Sequence, residues 1–348
     1  MSVKLSDIAH VAKVSTTTVS NVLRGRGRYS RATERAVVEA AERMGYFKNL
    51  GLTPDKTLGL MFCTPPVAGR DEPGAGDKLE FASFFTAEVV EAVERVVSEK
   101  GYQLLFQIVR ETDSEADLPE MVKNRSIRGA LIIGGSIRDD FIRAVHDRGI
   151  PMVLVFTHVD HSEINSVLVD YTDGAYQATK HLIDLGHKRI GLINGWRHTR
   201  TSDSKLEGYR RAIERAGLPF ESSLVVESDF TFEGGEAVAT AMLSRSDRPT
   251  AIFVADDLMA LGAMRAAYNL GLAVPDDVAI VGFGDGPMAK VSNPALTSVR
   301  VPTRTLGEIA VERLFDVLEG DDRPYRIVID VELVVRQSCG GARASAAM

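Results

Sequence analysis

Three short segments at the start of the chain repeat apolar residues at helical spacing. In the first, LSDIAHVAKV, Ser6 is the expected N-cap and Asp7 the expected acidic residue of the first turn. Ser15 is the expected cap of the second segment, and the third is expected to start after Ser30 and end at Gly45. The predicted buried stripes consist of Ile8, Ala9, Ala12, Val19, Val22, Leu23, Val37, Ala40, Ala41 and Met44. The pattern predicts three helices around one small core, with a tight turn between the first two, which is a helix-turn-helix module.

The second predicted helix, within VSTTTVSNVL, leaves a hydroxyl-rich face outside that core. Threonine is a mediocre helix former, so a purpose other than helix stability is indicated. Small hydroxyl side chains allow close approach to the major-groove floor and hydrogen-bond base edges, and the side chain of Asn21 can pair with an adenine edge or a phosphate. The candidate base-reading residues are Ser15, Thr16, Thr17, Ser20 and Asn21.

Composition strengthens this interpretation, because charge is unevenly distributed. Residues 1–50 hold nine Lys and Arg against four Asp and Glu, a net charge of +5, whereas the whole chain has a net charge of −7. A basic head on an acidic body indicates a polyanionic partner for the head alone. Arg24, Arg26 and Arg28 are candidates for phosphate contacts. The alternative is a three-helix bundle with a solvated basic face and no partner.

Beyond residue 57, short apolar runs alternate with amphipathic helical segments. The expected buried strands are TLGLMF, QLLFQIV, GALIIGG, PMVLVF, RIGLIN, AIFVAD and VAIVGF. Strands that alternate with helices favour parallel, doubly wound α/β sheets, and 348 residues exceed one typical domain plus the head. We therefore expect two doubly wound α/β lobes, with a ligand at the carboxyl ends of the strands in a cleft between them.

At this point a family resemblance emerges. LSDIAHVAKVSTTTVSNVLRG followed by SRATERAVVEAAERMGY resembles the head of the LacI/GalR family of bacterial transcriptional regulators. HLIDLGHKRIGLING and VADDLMALGAMRAAYNLGLAVPDDVAIVGFGD resemble its effector domain, which is similar to type I periplasmic sugar-binding proteins. The resemblance implies a homodimeric repressor that binds double-stranded operator DNA and responds to a small carbohydrate-type effector. No heptad pattern follows Cys339, so we expect no further assembly through a coiled coil.

The same resemblance implies domain limits. The expected parts are a helix-turn-helix domain at 1–49, a linker at 50–57, an effector domain at 58–340, an N-lobe of about 58–160 and 293–323, and a C-lobe of about 161–292 and 324–340. The linker departs from the family pattern: Lys48 replaces the usual proline, and an Ala-Arg-x-Leu stretch is missing. Gly51 and Pro54 disfavour a helix here, so we expect the hinge helix to be shortened or replaced.

Three positions in the implied effector site carry charge information. Lys205 stands where the family usually has arginine, and Asp256 stands where Asn or Asp is common. Gly284 replaces a frequent sugar-binding aspartate, which leaves Asp285 beside it. Loss of one carboxylate and retention of a cation favour a negatively charged ligand, so we expect a sugar acid such as an aldonate or a uronate. The alternative is that Lys205 pairs with Asp203 or Glu207 on its own helix.

Aromatic and polar side chains complete the predicted effector site. Phe84 and Phe85 begin the first helix of the body and are either ring platforms or core residues. Trp196 follows a strand and is placed for stacking, with Arg200 as a polar contact and Phe283 at a strand end. The full set of candidate effector-binding residues is Phe84, Phe85, Trp196, Arg200, Lys205, Asp256, Phe283 and Asp285.

Other motifs argue against catalysis, metals and cofactors. GFGDGP lacks the spacing of a dinucleotide loop, and His158, Asp160 and His161 lie in a polar stretch that we interpret as a solvated loop. In VADD we expect Asp256 to contact the ligand and Asp257 to cap the next helix. We therefore expect a regulator that is not an enzyme and needs no cofactor. The alternative is a sugar-binding or sugar-modifying enzyme with an incidental helical head.

Three observations bear on cellular location. The first ten residues lack the apolar stretch of a signal peptide, and no apolar run approaches the roughly 20 residues of a membrane span. Two cysteines are too few for a disulfide framework. We expect a cytoplasmic protein.

Overall fold

A computed structural model of the chain describes residues 3–23, 29–44, 46, 56–64, 84–110, 118–135, 137–160, 163–196 and 199–341. The head consists of α1 (Leu5–Ala12), α2 (Thr16–Leu23) and α3 (Arg31–Arg43). In chain order the body comprises β1 (Thr57–Thr64), α4 (Phe84–Glu99), β2 (Gln103–Arg110), α5 (Glu120–Lys123), β3 (Gly129–Ile133), α6 (Asp139–His146), β4 (Met152–Val155), β5 (Asn165–Val169), α7 (Tyr171–Asp184), β6 (Ile190–Asn194), α8 (Arg200–Arg215), β7 (Val225–Glu227), α9 (Phe232–Leu243), β8 (Ala251–Val254), α10 (Asp257–Asn269), β9 (Ala279–Gly284), α11 (Pro287–Val291), β10 (Thr297–Arg300), α12 (Thr303–Leu318), β11 (Arg326–Ile329) and β12 (Glu332–Val334).

The head has the predicted core with one addition. The predicted stripe residues Ile8, Ala9, Val19, Val22, Val37, Ala40 and Ala41 are all buried, and Ala12, Leu23 and Met44 pack against them. Val38 is also buried, although the stripe did not include it. The small core therefore draws on all three helices, as a helix-turn-helix module requires.

Two of the three predicted helix caps are confirmed. The hydroxyls of Ser15 and Ser30 accept hydrogen bonds from the backbone amides three residues later, at 3.0 and 3.1 Å. The prediction for Ser6 is wrong, because α1 begins two residues earlier than a cap at Ser6 requires and Lys4 occupies the N-cap position. There the Asp7 carboxylate accepts a hydrogen bond from the backbone amide of Lys4 at 2.9 Å. Gly45, the predicted end of α3, lies outside the described residues.

The body contains two six-stranded sheets of the predicted doubly wound type. The first has the strand order β11-β5-β4-β3-β1-β2, and the second has the order β12-β10-β9-β8-β6-β7. β1, β2, β3 and β4 pair in parallel, as do β7, β6, β8, β9 and β10, whereas β12 runs antiparallel to β10. Parallel strands with buried residues on both faces need helices on both sides, which explains the near-continuous apolar runs in the sequence.

The described strands change sheet three times, after β5, after β10 and after β11. These positions shift the predicted lobe limits. β5 and β11 lie in ranges predicted for the C-lobe yet pair in the first sheet, and β10 lies in a range predicted for the N-lobe yet pairs in the second. The five strands β5, β7, β10, β11 and β12 are short and were not among the predicted strands, so the crossings could be placed only approximately.

The chain divides into two compact units. The first holds the head, β1 to β4 and the C-terminal part of α12, and the second holds α7 to α11, the second sheet and the start of α12. Both cysteines are buried, and neither forms a disulfide. Among the described residues, no helix has the length and apolar character needed to span a bilayer.

The contact between α9 and α10 yields a test of the packing. A Cβ at Gly262 would lie 2.2 Å from the carbonyl oxygen of Phe232 and 2.7 Å from the amide nitrogen of Glu236, both on the backbone of α9. We expect Gly262→Ala to lower the free energy of unfolding by about 2 kcal/mol, because the two helices must separate. Urea titration followed by circular dichroism measures this.

A matched control lies on the same helix. Arg265→Ala removes an exposed side chain and should change the free energy of unfolding by less than about 0.5 kcal/mol. A Gly262→Ala variant at least as stable as the wild type would show that helix propensity, which favours alanine by about 1 kcal/mol, outweighs the close approach.

Candidate functional sites: a hydroxyl-rich helix face and a buried lysine

The predicted base-reading residues lie on the outer face of α2. Thr16, Thr17 and Asn21 are exposed, and Ser20 is half-buried. Residues four apart on a helix are neighbours, so these side chains form one continuous polar surface. Ser15 differs from the others, because its hydroxyl already caps α2 and also lies 2.8 Å from the Thr18 hydroxyl. Arg24, Arg26 and Arg28 lie outside the described residues.

The second candidate site lies at one edge of the second sheet. β6, β8 and β9 are neighbours in this sheet and run parallel, so their carboxyl ends meet at the same edge. Trp196 follows β6, Asp256 follows β8, and Phe283 lies near the end of β9. The carboxyl edge of a parallel sheet is where α/β proteins bind ligands. The predicted effector residues from these three strands are thus brought together.

Lys205 is buried at this edge. It lies on the second turn of α8 and is only 5% exposed. Its ammonium donates a hydrogen bond to the carbonyl oxygen of Ala255 at 2.8 Å. The alternative pairing with Asp203 or Glu207 is wrong, because both of those side chains are exposed on the outer face of α8 while the ammonium points inward.

Three aromatic rings surround the Lys205 ammonium. The nitrogen lies 4.7 Å from the ring centre of Phe283, 5.0 Å from that of Tyr171 and 5.9 Å from that of Phe230. These distances fall in the range of cation–π attraction. We call Lys205, Tyr171, Phe230 and Phe283 the lysine cage. An ammonium has three donors, and within the described residues the Ala255 carbonyl is the acceptor for one of them.

Burial shifts the charge equilibria at this edge. Desolvation lowers the pKa of Lys205 to about 8, although the carboxylates of Asp256 and Asp257 oppose this. Desolvation also raises the pKa of Asp256 to about 7, against its hydrogen bond with the Met259 amide and the charge of Lys205. Lys205 and Asp256 therefore both change charge close to neutral pH.

The predicted cap of α10 is wrong by one residue. Asp256 is the N-cap of α10, with its carboxylate 2.7 Å from the Met259 amide, whereas Asp257 was the predicted cap. α10 begins at Asp257, one residue earlier than the cap prediction required. The Asp257 carboxylate accepts hydrogen bonds from the Ser298 hydroxyl at 2.5 Å and the Gly286 amide at 2.9 Å. Asp256 keeps its predicted place beside Lys205.

Asp285 is held in ion pairs. Its side chain is 1% exposed, and its carboxylate binds the guanidinium groups of Arg300, at 2.7 Å, and Arg336. Its backbone has a left-handed φ of 56°, which disfavours residues other than glycine, asparagine and aspartate. The structure thus uses this carboxylate to fix the loop after β9, which speaks against the predicted contact of Asp285 with the effector.

Trp196 joins the lysine cage through Phe230. The two rings lie 5.2 Å apart in an edge-to-face arrangement. A Cβ at position 195 would fall 1.8 Å from the Phe230 ring, so only glycine fits there. Arg200 is half-buried at the start of α8. Phe84 and Phe85 are the first two residues of α4, as predicted, but their side chains lie outside the described set.

Sequence reasoning missed Tyr171 and Phe230. Tyr171 is the first residue of α7, two residues after β5, and Phe230 follows β7 at a similar interval. An aromatic residue shortly after a strand is the signal that could have found both, because that position lies at the ligand edge of a parallel sheet. Neither strand was among those predicted, so the position of these two residues after a strand could not be recognised from the sequence.

The stretch interpreted as a solvated loop contains a close contact between two of the three side chains. His158 Nε2 lies 3.0 Å from the carboxylate of Asp160, and His161 lies outside the described residues. Within the described part of the chain, no group of three or more His, Cys, Asp and Glu side chains could hold a metal ion.

Comparison with known proteins covers both sites. Residues 4–49 match the family model for bacterial regulatory proteins of the lacI family, and residues 179–339 match that of a periplasmic binding protein-like domain. The HTH-type transcriptional regulator CelR of Thermobifida fusca is 32% identical over 337 residues, which cover 96% of this chain and 97% of CelR.

Solved structures extend the similarity to the fold. A transcriptional regulator CelR–cellobiose complex has a TM-score of 0.74 and 31% identity, covering 97% of this chain and 99% of that one. The lac repressor dimer bound to operator and the anti-inducer ONPF has a TM-score of 0.70 and 26% identity, with the same coverage. The predicted fold class is thereby confirmed, and because these relatives are regulators, so is the prediction that the chain is not an enzyme.

Burial of the Lys205 ammonium leads to a prediction about stability. We expect Lys205→Met to raise the free energy of unfolding at pH 7 by about 1–2 kcal/mol, because the lowered pKa shows that the folded state disfavours the charged amine. The folded pKa lies below the unfolded one, so the folded wild type releases this proton first, and wild-type stability rises relative to the variant above about pH 8.

Urea unfolding at pH 7 and pH 9.5 measures both effects. Lys180→Met is the control, since that lysine is exposed on α7 and its removal should change stability by less than about 0.5 kcal/mol. If Lys205→Met were less stable than the wild type at both pH values, the ammonium would be a net stabilising group and the proposed strain would be absent.

Proposed function

The chain belongs to the lacI family of bacterial regulatory proteins, and from this premise we propose that it is a DNA-binding transcriptional repressor controlled by a small anionic sugar. The observation that carries the proposal is the buried Lys205 ammonium, which faces aromatic rings and has one protein acceptor within the described residues. Such a group is poorly solvated and attracts a ligand that supplies negative charge.

The DNA-reading part of the proposal rests on α2. Its exposed Thr16, Thr17 and Asn21 supply hydroxyl, methyl and amide groups suited to base edges in the major groove. The basic residues that follow α2 supply counter-charge for phosphates. In a homodimer, two such heads would bind adjacent major grooves of a pseudo-palindromic operator. The lac repressor, a structural relative, is a dimer on its operator.

The effector part of the proposal rests on the lysine cage. Aromatic faces stack on the apolar C–H surface of a sugar, and the Lys205 ammonium can pair with a carboxylate. The Asp285 carboxylate, one of the groups that could repel such a ligand, is neutralised by two guanidinium groups. CelR, a relative with a solved cellobiose complex, binds a neutral sugar. We infer a sugar acid of the aldonate or uronate class for this chain.

The two parts become coupled when the effector prefers one conformer of the protein. A ligand shifts an equilibrium only by its difference in affinity for the two states, and coupling free energies are about 1–3 kcal/mol. Effector binding that lowers the affinity for the operator would identify an inducer. Promotion of operator binding by the same ligand would identify a corepressor instead.

Operator binding is tested by gel shift on promoter fragments at 50 and 200 mM salt. About six phosphate contacts would weaken binding roughly 10³-fold across that range. Asn21→Ala should weaken specific binding about five- to 150-fold while leaving nonspecific binding unchanged, because it removes a contact to a base. Ser244→Ala, an exposed change in the second unit, is the control. Absent or salt-insensitive binding would overturn the operator-binding part of the proposal.

Effector binding is tested by titration calorimetry with gluconate, glucuronate and neutral hexoses. Raising the pH from 6.5 to 9 passes through the raised pKa of Asp256, about 7, and the lowered pKa of Lys205, about 8, so both groups lose protons over this interval. Both changes disfavour an anion, so affinity for the acid should fall about tenfold or more between these values.

Two substitutions sharpen the assignment. Lys205→Met should abolish binding of the acid, and Lys205→Arg should retain it with a weaker pH dependence, because a guanidinium does not titrate in this range. Tight binding of neutral hexoses without binding of either acid would refute the sugar-acid class and leave the DNA-binding proposal intact.

A further inference from the structure

An ion pair joins the helix-turn-helix head to the rest of its compact unit. A guanidinium nitrogen of Arg125 lies 3.0 Å from a carboxylate oxygen of Glu34, which is on the first turn of α3. The two residues are 91 positions apart in the chain, and both side chains are largely buried, 20% exposed for Glu34 and 31% for Arg125. A pair this shielded is screened less by salt than a surface pair.

The backbone of Arg125 is unusual. It follows α5 and the cap residue Asn124, and it has a left-handed φ of 46°. The amide of Ser126 returns to the carbonyl of Met121 at 3.1 Å, so Arg125 occupies the position after a helix where glycine is preferred. Glycine would fit this backbone with less strain. Nothing in the turn itself calls for an arginine, whereas its side chain reaches Glu34.

A second arginine faces the same part of the head. Burial and the charge of Glu34 raise the pKa of Tyr29, which lies between α2 and α3, and the charges of Arg148 and Arg125 oppose this rise. Arg148 lies in the turn after α6, as Arg125 lies in the turn after α5. These turns precede β4 and β3, so both arginines lie at the edge at which these two strands of the first sheet begin.

We propose that the Glu34–Arg125 pair docks the head on the starting edge of the first sheet and positions it for operator binding. The docking contact restricts the orientations of the head before it meets DNA, so less conformational entropy is lost when DNA binds. It also adds a fixed partner to a head whose own core is small. The effect on the operator rests on the proposed function, whereas docking itself does not.

Docking is tested by hydrogen exchange of the full-length protein without DNA. Glu34→Gln keeps the shape of the side chain and removes its charge, so exchange of the buried amides in α1 to α3 should speed up about two- to fivefold. Glu39→Gln is the matched control, because it makes the same change on the same helix and breaks a pair with Arg35 that is internal to α3. Equal exchange in the two variants would overturn the proposal.

Arg125→Gly separates docking from folding. This variant removes the ion pair and relieves the left-handed backbone, so the thermal midpoint of the body should stay constant or rise while head exchange speeds up. The charge swap that combines Glu34→Arg with Arg125→Glu should restore slow exchange. The docking proposal would also be overturned if Arg125→Gly left exchange of the head amides unchanged and the charge swap did not restore slow exchange.

Operator titration then tests positioning. We expect Glu34→Gln and Arg125→Gly to weaken operator binding about two- to fivefold, with recovery in the swap. Tighter binding in both variants would show that the contact holds the head away from DNA, which overturns the positioning role. If no variant and no wild type bound an operator, the proposed function would fail while the exchange data still decided docking.

Discussion

The buried ammonium of Lys205 is the constraint around which the ligand edge of the second sheet is arranged. Removing a cation from water is costly, and here one carbonyl and three ring faces replace the solvent. Two glycines permit the rings to come this close: a Cβ at Gly174 would lie 2.8 Å from the Phe283 ring, and one at Gly195 would overlap Phe230. The buried charge thus depends on the ring positions, and the ring positions depend on glycine at these two sites.

Much of the fold follows from the apolar pattern, and the shortest of the missed strands have an evident cause. Long buried strands and amphipathic helices were predicted because packing on a parallel sheet imposes their periodicity. Strands such as β7 and β12 have three residues each, too few to show a period. Their order in the sheets comes from contacts far apart in the chain, which no local pattern records.

The residues of the candidate site likewise divide into those that the sequence predicted and those that it missed. Lys205, Asp256, Trp196 and Phe283 lie on or directly after predicted elements, and the sheet brings them to one edge. Tyr171 and Phe230 were missed because their strands were missed. Asp285 was assigned to the ligand from its neighbours in sequence, whereas its partners Arg300 and Arg336 are 15 and 51 residues away. Such ion pairs become visible only when the fold is known.

Few atoms determine the charge preference of the proposed effector site. Lys205 supplies the positive charge of the cage, and it lies on α8, in a different compact unit from the hydroxyl-rich face of α2. Under the proposed function, substitutions at this lysine would change which effector is recognised and leave the α2 face unchanged. In evolutionary terms the chain is modular: descendants could acquire a new signal for an unchanged set of promoters through changes confined to one helix turn and the rings around it.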